Sequence, residues 1–369
     1  MKLGIYVHIP FCKSKCHYCD FLSYSKMDLA KEYVDALIKE IKMYSKSFKN
    51  TNIQSVFFGG GTPTVLPSYL IEKLYSCIEN NFTLSEDCEW TIEANPDTLT
   101  SEQVQLFKKY SITRVSLGLQ AVQDYHLKNI GRIHSFSQWE NAIWLLKSNG
   151  ITNINTDLMF GLPNQTLNEW EESLNKVIKY DIPHISAYSL TLEGNTRFVN
   201  LYEKGELKLI DEILDRQMYT MAKDILGSYN HYEISNWAKQ GQECKHNLLY
   251  WEQEQYIGAG LGASGYLNSF RYTNTRNLKD YIKNMDRQIA LIQEEKEHIT
   301  LRMQQEEFIF LGLRMLSGID INKFKKIFNI EIYDIFGNQI DRWIKQGGIR
   351  NNNNKLVLTY LEFVCVFFV

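Results

Sequence analysis

The sequence predicts an α/β fold, a partial and open (β/α)6 barrel followed by a small C-terminal helical, winged-helix-like domain. Two observations carry this. The first half of the chain alternates short β-branched runs with longer amphipathic segments, and the alternation stops near residue 192. The second is length, because 369 residues are long for one core and suit two domains or a large barrel with an appendage. A chain this size buries roughly three quarters of its unfolded surface, so its stability needs no disulfide staples.

Strands are expected at residues 5–9, 55–58, 90–93, 114–119, 153–160 and 184–190. The segments between them carry helical spacing. Tyr33, Val34, Leu37, Ile38, Ile41 and Tyr44 recur at i, i+3 and i+4, with Asp28 as the expected cap. Leu70, Leu74 and Ile78 follow Pro67-Ser68, and Val104 and Phe107 mark the next helix. Trp139, Ile143 and Leu146 are closed by Gly150, and Trp170, Leu174 and Val177 complete the set. Parallel neighbours need a crossover connection, which a helix supplies, so these six units read as parallel β/α architecture. Six is fewer than the eight that close a standard barrel.

Beyond the barrel a helix is expected over 211–226, then a Tyr- and Gly-rich stretch over 250–272 and a charged helix over 278–297. Phe308, Leu311, Leu316, Ile319, Phe324, Ile327 and Phe328 mark packed helices, and Gly347-Gly348 turns into strands. The expected division is a barrel over 1–235, a connecting region over 236–298 and a small domain over 299–369.

Composition excludes several function classes. Apolar residues make up 44% and charged residues 22%, which are globular proportions. The formal charge of −3 leaves no broad basic face to recruit nucleic acid or anionic lipid. The seven cysteines are unevenly placed, with Cys12, Cys16 and Cys19 together and Cys77, Cys88, Cys244 and Cys365 scattered. That is no secreted disulfide framework. The first ten residues lack the pattern of a signal peptide. Residues 356–369 are apolar but shorter than the ~20 a membrane helix needs. A cytoplasmic protein is expected, with no nucleic-acid partner and no integral membrane segment.

The strongest chemical signal is the C-x3-C-x2-C triplet Cys12, Cys16 and Cys19, placed directly after the first strand. Thiolates bind soft metals and iron–sulfur clusters. A structural zinc site takes four ligands, so a zinc reading must recruit His8 or His17. A 4Fe–4S cluster on three cysteines instead keeps one iron free for an external ligand. Unrelated buried cysteines are the bland alternative. Gly59-Gly60-Gly61-Thr62-Pro63 follows the second strand and lets a backbone approach where any Cβ would collide. It lacks the Gly-Lys-Ser/Thr ending of a phosphate-binding Walker loop. Glu93, Gln120, Asp157 and Thr191 lie at or near the ends of the later strands, where parallel barrels build their active sites. Gly258, Gly260 and Gly262 have no βαβ frame for dinucleotide binding and read as a tight turn.

The triplet resembles that of the radical S-adenosylmethionine superfamily. The resemblance narrows over Tyr6-Val7-His8-Ile9-Pro10-Phe11-Cys12, Gly59–Pro63, Ile92-Glu93-Ala94-Asn95-Pro96, Ser116-Leu117-Gly118-Leu119-Gln120, Asp157–Pro163 and Gln165-Thr166. These segments resemble the oxygen-independent coproporphyrinogen III oxidase family, over most of the chain. The resemblance implies a 4Fe–4S cluster on Cys12, Cys16 and Cys19, and S-adenosylmethionine held by Tyr6, Gly60, Gly61, Thr62, Glu93, Gln120, Arg132 and Asp157. A zwitterionic adenosyl ligand suits such a set, with carboxylates for its ammonium and hydroxyls and Arg132 for its carboxylate.

That family divides into true oxidases and HemW-type heme chaperones. Oxidases resemble C-x3-C-x2-C-x-C, and here the fourth cysteine position is Phe21. His246-Asn247-Leu248-Leu249-Tyr250-Trp251 resembles the H-N-x-x-Y-W heme motif of the chaperones. A single histidine can be an axial iron ligand. The resemblance therefore implies a heme chaperone that hands heme to acceptor proteins, with His246 at the heme. The alternative is oxidative decarboxylation of coproporphyrinogen III to protoporphyrinogen IX. Members of the family usually continue past a Leu-Thr segment into a polar glycine turn and a last helix. Here Leu358-Thr359 runs instead into an apolar tail.

Overall fold

The computed structural model describes residues 2–286 and 293–359. The apolar tail over 360–369, with Cys365, lies outside them. The expected alternation is present as β1 (Leu3–Ile9), α1 (Ala30–Ser47), β2 (Asn52–Gly60), α2 (Ser68–Asn81), β3 (Thr83–Ala94), α3 (Ser101–Lys109) and β4 (Arg114–Gln120). It continues through α4 (Asp124–Asn129), α5 (Phe136–Ser148), β5 (Ile154–Phe160), α6 (Leu167–Lys179) and β6 (His184–Ser189). Strands β1 to β6 lie side by side and parallel, in chain order. Helices α3, α5 and α6 start on capping boxes at Thr100, Ser135 and Thr166, in which the N3 glutamine or glutamate bonds back to the cap. Asp28 is not the cap of α1. That position falls to Leu29, without a side-chain bond.

After β6 come α7 (Arg197–Glu203), α8 (Glu212–Ile225), β7 (Asn230–Glu233), β8 (Asn236–Ala238), α9 (Lys245–Trp251), β9 (Gln255–Ala259), β10 (Ser264–Leu267), β11 (Phe270–Asn274), α10 (Leu278–Asp286) and β12 (Gln293–His298). The sheet order is β12-β11-β10-β9-β1-β2-β3-β4-β5-β6-β8-β7. The parallel barrel strands therefore number seven rather than six, because β9 joins β1 in parallel register, Leu3 opposite Gln255. The charged stretch over 278–297 is not one helix: its described residues form α10 over Leu278–Asp286 and then β12, which pairs with β11. The glycine run that closes β9 leads into the tight turn its spacing suggested. A Cβ on Gly258 would meet the Ser264 carbonyl oxygen at 1.9 Å, and Gly260 has φ +108°.

The main core fills the space between this sheet and its flanking helices, with Trp139, Trp170 and Trp237 fully buried. A separate core belongs to α11 (Leu301–Gly312), β13 (Ile319–Asp320), α12 (Ile321–Phe328), α13 (Ile332–Lys345), β14 (Ile349–Asn352) and β15 (Lys355–Leu358). There Phe308, Phe324, Phe336 and Leu356 pack behind the small sheet β13-β15-β14. Helices followed by a small sheet match the expected appendage. Among the described residues no helix is long and apolar enough to cross a membrane.

The small domain is tied to the barrel beside α9. Arg271 donates to both Glu307 carboxylate oxygens at 2.9 Å. Arg314 reaches buried Glu233 at 3.3 Å and lies 4.3 Å over the Trp251 ring.

Candidate functional site

Alternate residues of a strand face one side, and on β4 the inward set is Arg114, Ser116, Gly118 and Gln120. All four line one cavity of about 1140 Å³ that runs along the inside of the barrel. Cys12, Cys16, Cys19, Tyr6, Gly60, Gly61, Thr62, Glu93, Gln120, Arg132 and Asp157 line the same cavity. The structure thus brings together every site residue expected from the sequence except His246, which stands just behind the wall. Thr191 lines it too.

The thiols lie on the loop after β1. Its backbone is held by Cys12 N–H to Tyr24 O at 3.0 Å and by His17 N–H to Ile130 O at 2.9 Å. His17 is spent on anchoring: Nδ1–H donates to Asn129 O at 2.9 Å, and Nε2 accepts from Arg197 at 3.0 Å. His8 is likewise engaged, by the Tyr6 hydroxyl at 3.0 Å and Leu22 O at 3.1 Å. Neither histidine offers a free nitrogen to the thiols. All three cysteines are free, and among the described residues no three His, Cys, Asp or Glu side chains gather as ligands of one metal ion. A cluster assigns each thiolate its own iron, so three separated thiols on one cavity wall fit a polynuclear cluster better than a single zinc. Burial pushes the Cys12 and Cys19 thiols up, a shift that a bound cation reverses.

The glycines have a structural reason of their own. A Cβ on Gly60 would meet the His8 ring at 2.4 Å, and one on Gly61 the Phe11 carbonyl oxygen at 2.5 Å. Their chain therefore lies flush against the end of β1, next to the thiols, and the Thr62 hydroxyl reaches Cys12 Sγ at 3.5 Å. Gly60 N–H donates to Glu93 Oε2 at 3.1 Å. Burial and the nearby Asp157 charge push Glu93 up to about 7. Burial also raises Asp157, against the bonds from Asn155 and Ser186. Arg132 donates to Asn95 Oδ1 at 2.6 Å and to the Tyr18 hydroxyl at 3.0 Å, while its Nε stays without a partner. Gln120 is buried with φ +75°, a left-handed backbone uncommon for this residue and typical of functional positions. This end therefore combines desolvated carboxylates, a cation and strain, the features that accompany ligand sites.

The N-terminal end of the barrel is built differently. A belt of buried polar residues crosses it, one from each successive strand: Ser55, Glu89, Arg114, Asn155 and His184. Helix α9 lies on this belt. Glu89 accepts the backbone N–H groups of Lys245 at 2.9 Å and His246 at 3.1 Å, which fastens the first turn of the helix. His246 is 1% exposed. Its Nδ1 bonds Ser55 Oγ at 2.7 Å and its Nε2 the Tyr250 hydroxyl at 2.8 Å, while its ring stacks on Phe57 at 5.1 Å. Burial and the Arg114 charge push its pKa down to about 3. From the same motif Asn247, Tyr250 and Trp251 line the cavity.

A directed hydrogen-bond chain joins the two ends. Asn155 donates to Asp157 Oδ1 and Ser116 Oγ, each at 2.7 Å, which turns its carbonyl toward His184 Nδ1–H at 2.6 Å. His184 Nε2 is then the acceptor for the Tyr232 hydroxyl at 2.8 Å, whose oxygen accepts the Cys244 N–H at 3.3 Å. His184, Tyr232 and Arg114 escaped the sequence reading. For Arg114 the signal was present, since it shares the phase of Ser116, Gly118 and Gln120. His184 and Tyr232 meet only through tertiary packing.

Comparison with known proteins places the chain among relatives. A family model described as the radical SAM superfamily matches residues 6–177, and one for the HemN C-terminal domain matches 299–363. The chain is 36% identical to the heme chaperone HemW of Lactococcus lactis over 96% of this chain and 92% of that one. It is 37% identical to the heme chaperone HemW of Bacillus subtilis over 96% of this chain and 94% of that one. Among solved structures it resembles the radical SAM enzyme coproporphyrinogen III oxidase HemN of Escherichia coli. The TM-score is 0.85 over 99% of this chain and 88% of that one, at 19% identity, a likeness of fold.

Proposed function

Because the chain belongs to the HemW family of the radical SAM superfamily, we propose that it binds heme and passes it to acceptor proteins in the cytoplasm. In this reading Cys12, Cys16 and Cys19 hold a 4Fe–4S cluster. Tyr6, Gly60, Gly61, Thr62, Glu93, Gln120, Arg132 and Asp157 hold S-adenosylmethionine beside it. The bound cluster would supply one electron to the sulfonium. The chain's own groups do the positioning: Arg132 takes a carboxylate, and Glu93, kept partly protonated by burial, presents a hydrogen-bonding edge without full charge.

The observation that carries the chaperone reading is the motif on α9. It puts Tyr250 and Trp251 into the wall of the cavity that the three thiols line, and Phe21 stands where an oxidase-like fourth cysteine would be. Aromatic faces suit a porphyrin plane. His246 can reach iron only by releasing Tyr250 or Ser55, so axial ligation requires α9 or the Tyr250 side chain to rearrange as heme enters.

The test is anaerobic purification with iron, sulfide and heme quantified together, followed by hemin titration and a coproporphyrinogen III assay. About four irons and four sulfides, saturable heme binding and no protoporphyrinogen IX are expected. Stoichiometric zinc without labile sulfide would remove the cluster. Product at multiple turnovers would restore the oxidase reading.

A further inference from the structure

One member of the polar belt is not satisfied by it. Arg114 is 2% exposed, its Nε has no partner, and no hydrogen bond or ion pair among the described residues involves its guanidinium. The acceptors whose charge it feels are committed elsewhere. Glu89 bonds the first turn of α9, and Asp157 bonds Asn155 and Ser116. A guanidinium carries five N–H donors and stays charged, so leaving it buried and unpaired is costly. It lines the cavity. What would complete it is an acceptor arriving in that cavity.

The depth of Arg114 separates it from Arg132. A Cβ on Gly118 would lie 3.0 Å from Arg132 Nη2, so Arg132 works at the level of Gly118. Arg114 is four residues earlier on the same strand face, so its backbone lies roughly 13 Å along the strand from that of Gly118 at the usual strand rise. Tyr6 and Phe57 share the register row of Arg114 across the sheet, and with Tyr250 and Trp251 they give the cavity an aromatic wall. Its volume of about 1140 Å³ exceeds the ~300–1,000 Å³ usual for one small ligand.

We propose that Arg114 is a carboxylate-binding site at the deep end of the cavity, receiving a propionate of a porphyrin that lies against the aromatic wall. The assignment rests on the heme reading above and deepens it. It gives the cavity two anion receptors at two depths, Arg132 near the thiols and Arg114 beside α9. Arg114 binds its acceptor as a fork, so lysine replaces it only in part.

The experiment uses the cluster-loaded protein and two probes, hemin and hemin dimethyl ester, in which both propionates are masked. Wild type is expected to bind hemin about 10–100-fold more tightly than the diester, the usual span for a charge-assisted hydrogen bond. Arg114→Gln should bring the two affinities within a few-fold of each other, and Arg114→Lys should fall between. Iron content should not change, and S-adenosylmethionine affinity should change far less than the preference for hemin over its diester. Equal wild-type affinity for hemin and diester overturns the proposal even if the variants fail to fold. So does a hemin preference that survives in Arg114→Gln, with or without weaker S-adenosylmethionine binding. Wild type that binds neither probe overturns the heme reading itself, and the Arg114 site with it.

Discussion

The two ends of the barrel use similar residues in opposite ways. At the C-terminal ends of the strands, thiols are free, Arg132 keeps an unpaired Nε, Glu93 is raised to about 7 and Gln120 is held at positive φ. At the N-terminal ends His246 and His184 each use both ring nitrogens, and Glu89 is saturated by the turn of α9. Buried polar groups are normally satisfied, so unmet capacity on the wall of a cavity points to a place where a ligand can bind, and full satisfaction points to scaffold. By that standard the thiol end is built to take up a ligand, as the proposed cofactors require. The α9 end is largely closed, with Arg114 an unpaired cation beside it, and a ligand that engages His246 must exchange partners with the protein.

The largest expected effect falls at the prepared end. Cys16→Ala should abolish iron and sulfide in anaerobic protein, because a cluster on two thiolates is lost rather than weakened. The fold should stand, since Cys16 contributes little to the core. Retention of full iron would mean that the ends do not divide as described.

His246→Ala sharpens the comparison from the closed end. It leaves Ser55 Oγ and the Tyr250 hydroxyl without their buried partner and opens a cavity, which should cost roughly 2–4 kcal/mol in denaturant unfolding. Iron should be unchanged. If the histidine also ligates heme, the Soret band shifts; a stability loss with an unaltered Soret spectrum would confine His246 to scaffold.

A buried carboxyl away from both ends serves as a control. Glu40 accepts Gly260 N–H at 2.8 Å and Asn274 Nδ2 at 2.7 Å, and also accepts the Tyr281 hydroxyl. Burial raises it from 4.5 to about 7. The native state keeps this proton after the unfolded state has lost it, so its contribution is full below pH 4.5 and disappears as pH rises through about 7. At 1.36 kcal/mol per unit this is on the order of 3 kcal/mol. Glu40→Gln should flatten the fall in stability across that window; an unchanged slope would mean that the carboxyl is ionised throughout.

The smallest effect is expected for Tyr232→Phe. It removes the donor to His184 and the acceptor for Cys244 N–H, at about 1–2 kcal/mol. Comparing S-adenosylmethionine affinity in Tyr232→Phe and Asp157→Asn, singly and together, tests whether the chain communicates between the ends. Strict additivity would reduce it to packing.

The six leading strands were legible because β-branched runs alternate with helical spacing, and their ends moved by three residues or fewer except at β3, which begins at Thr83. The thiol triplet and the glycine run were legible because each is contiguous. What the sequence hid depends on distant partners. Nothing around 255–259 states that it pairs with β1. Residues 278–297 have a helical charge pattern up to Asp286, and only pairing with β11 reveals β12. His246 advertised a ligand, whereas Ser55 and Tyr250 occupy its nitrogens by a contact no local pattern encodes. Arg114 stands at the first position of its strand, and its burial comes from tertiary packing that no local pattern encodes.

The pairing of β1 with β9 also sets a clock. Lys2 meets Glu252, a partner 250 residues later in the chain, and β1 lacks its second neighbour until β9 exists. At ~5–20 residues per second that interval lasts roughly 10–50 s of synthesis. The thiol triplet directly follows β1, so the nascent chain carries three cysteines beside an open strand edge throughout that time. Loading a cluster before β9 emerges would mean loading it beside an unpaired edge of β1, so assembly of the proposed metal site should follow synthesis of β9.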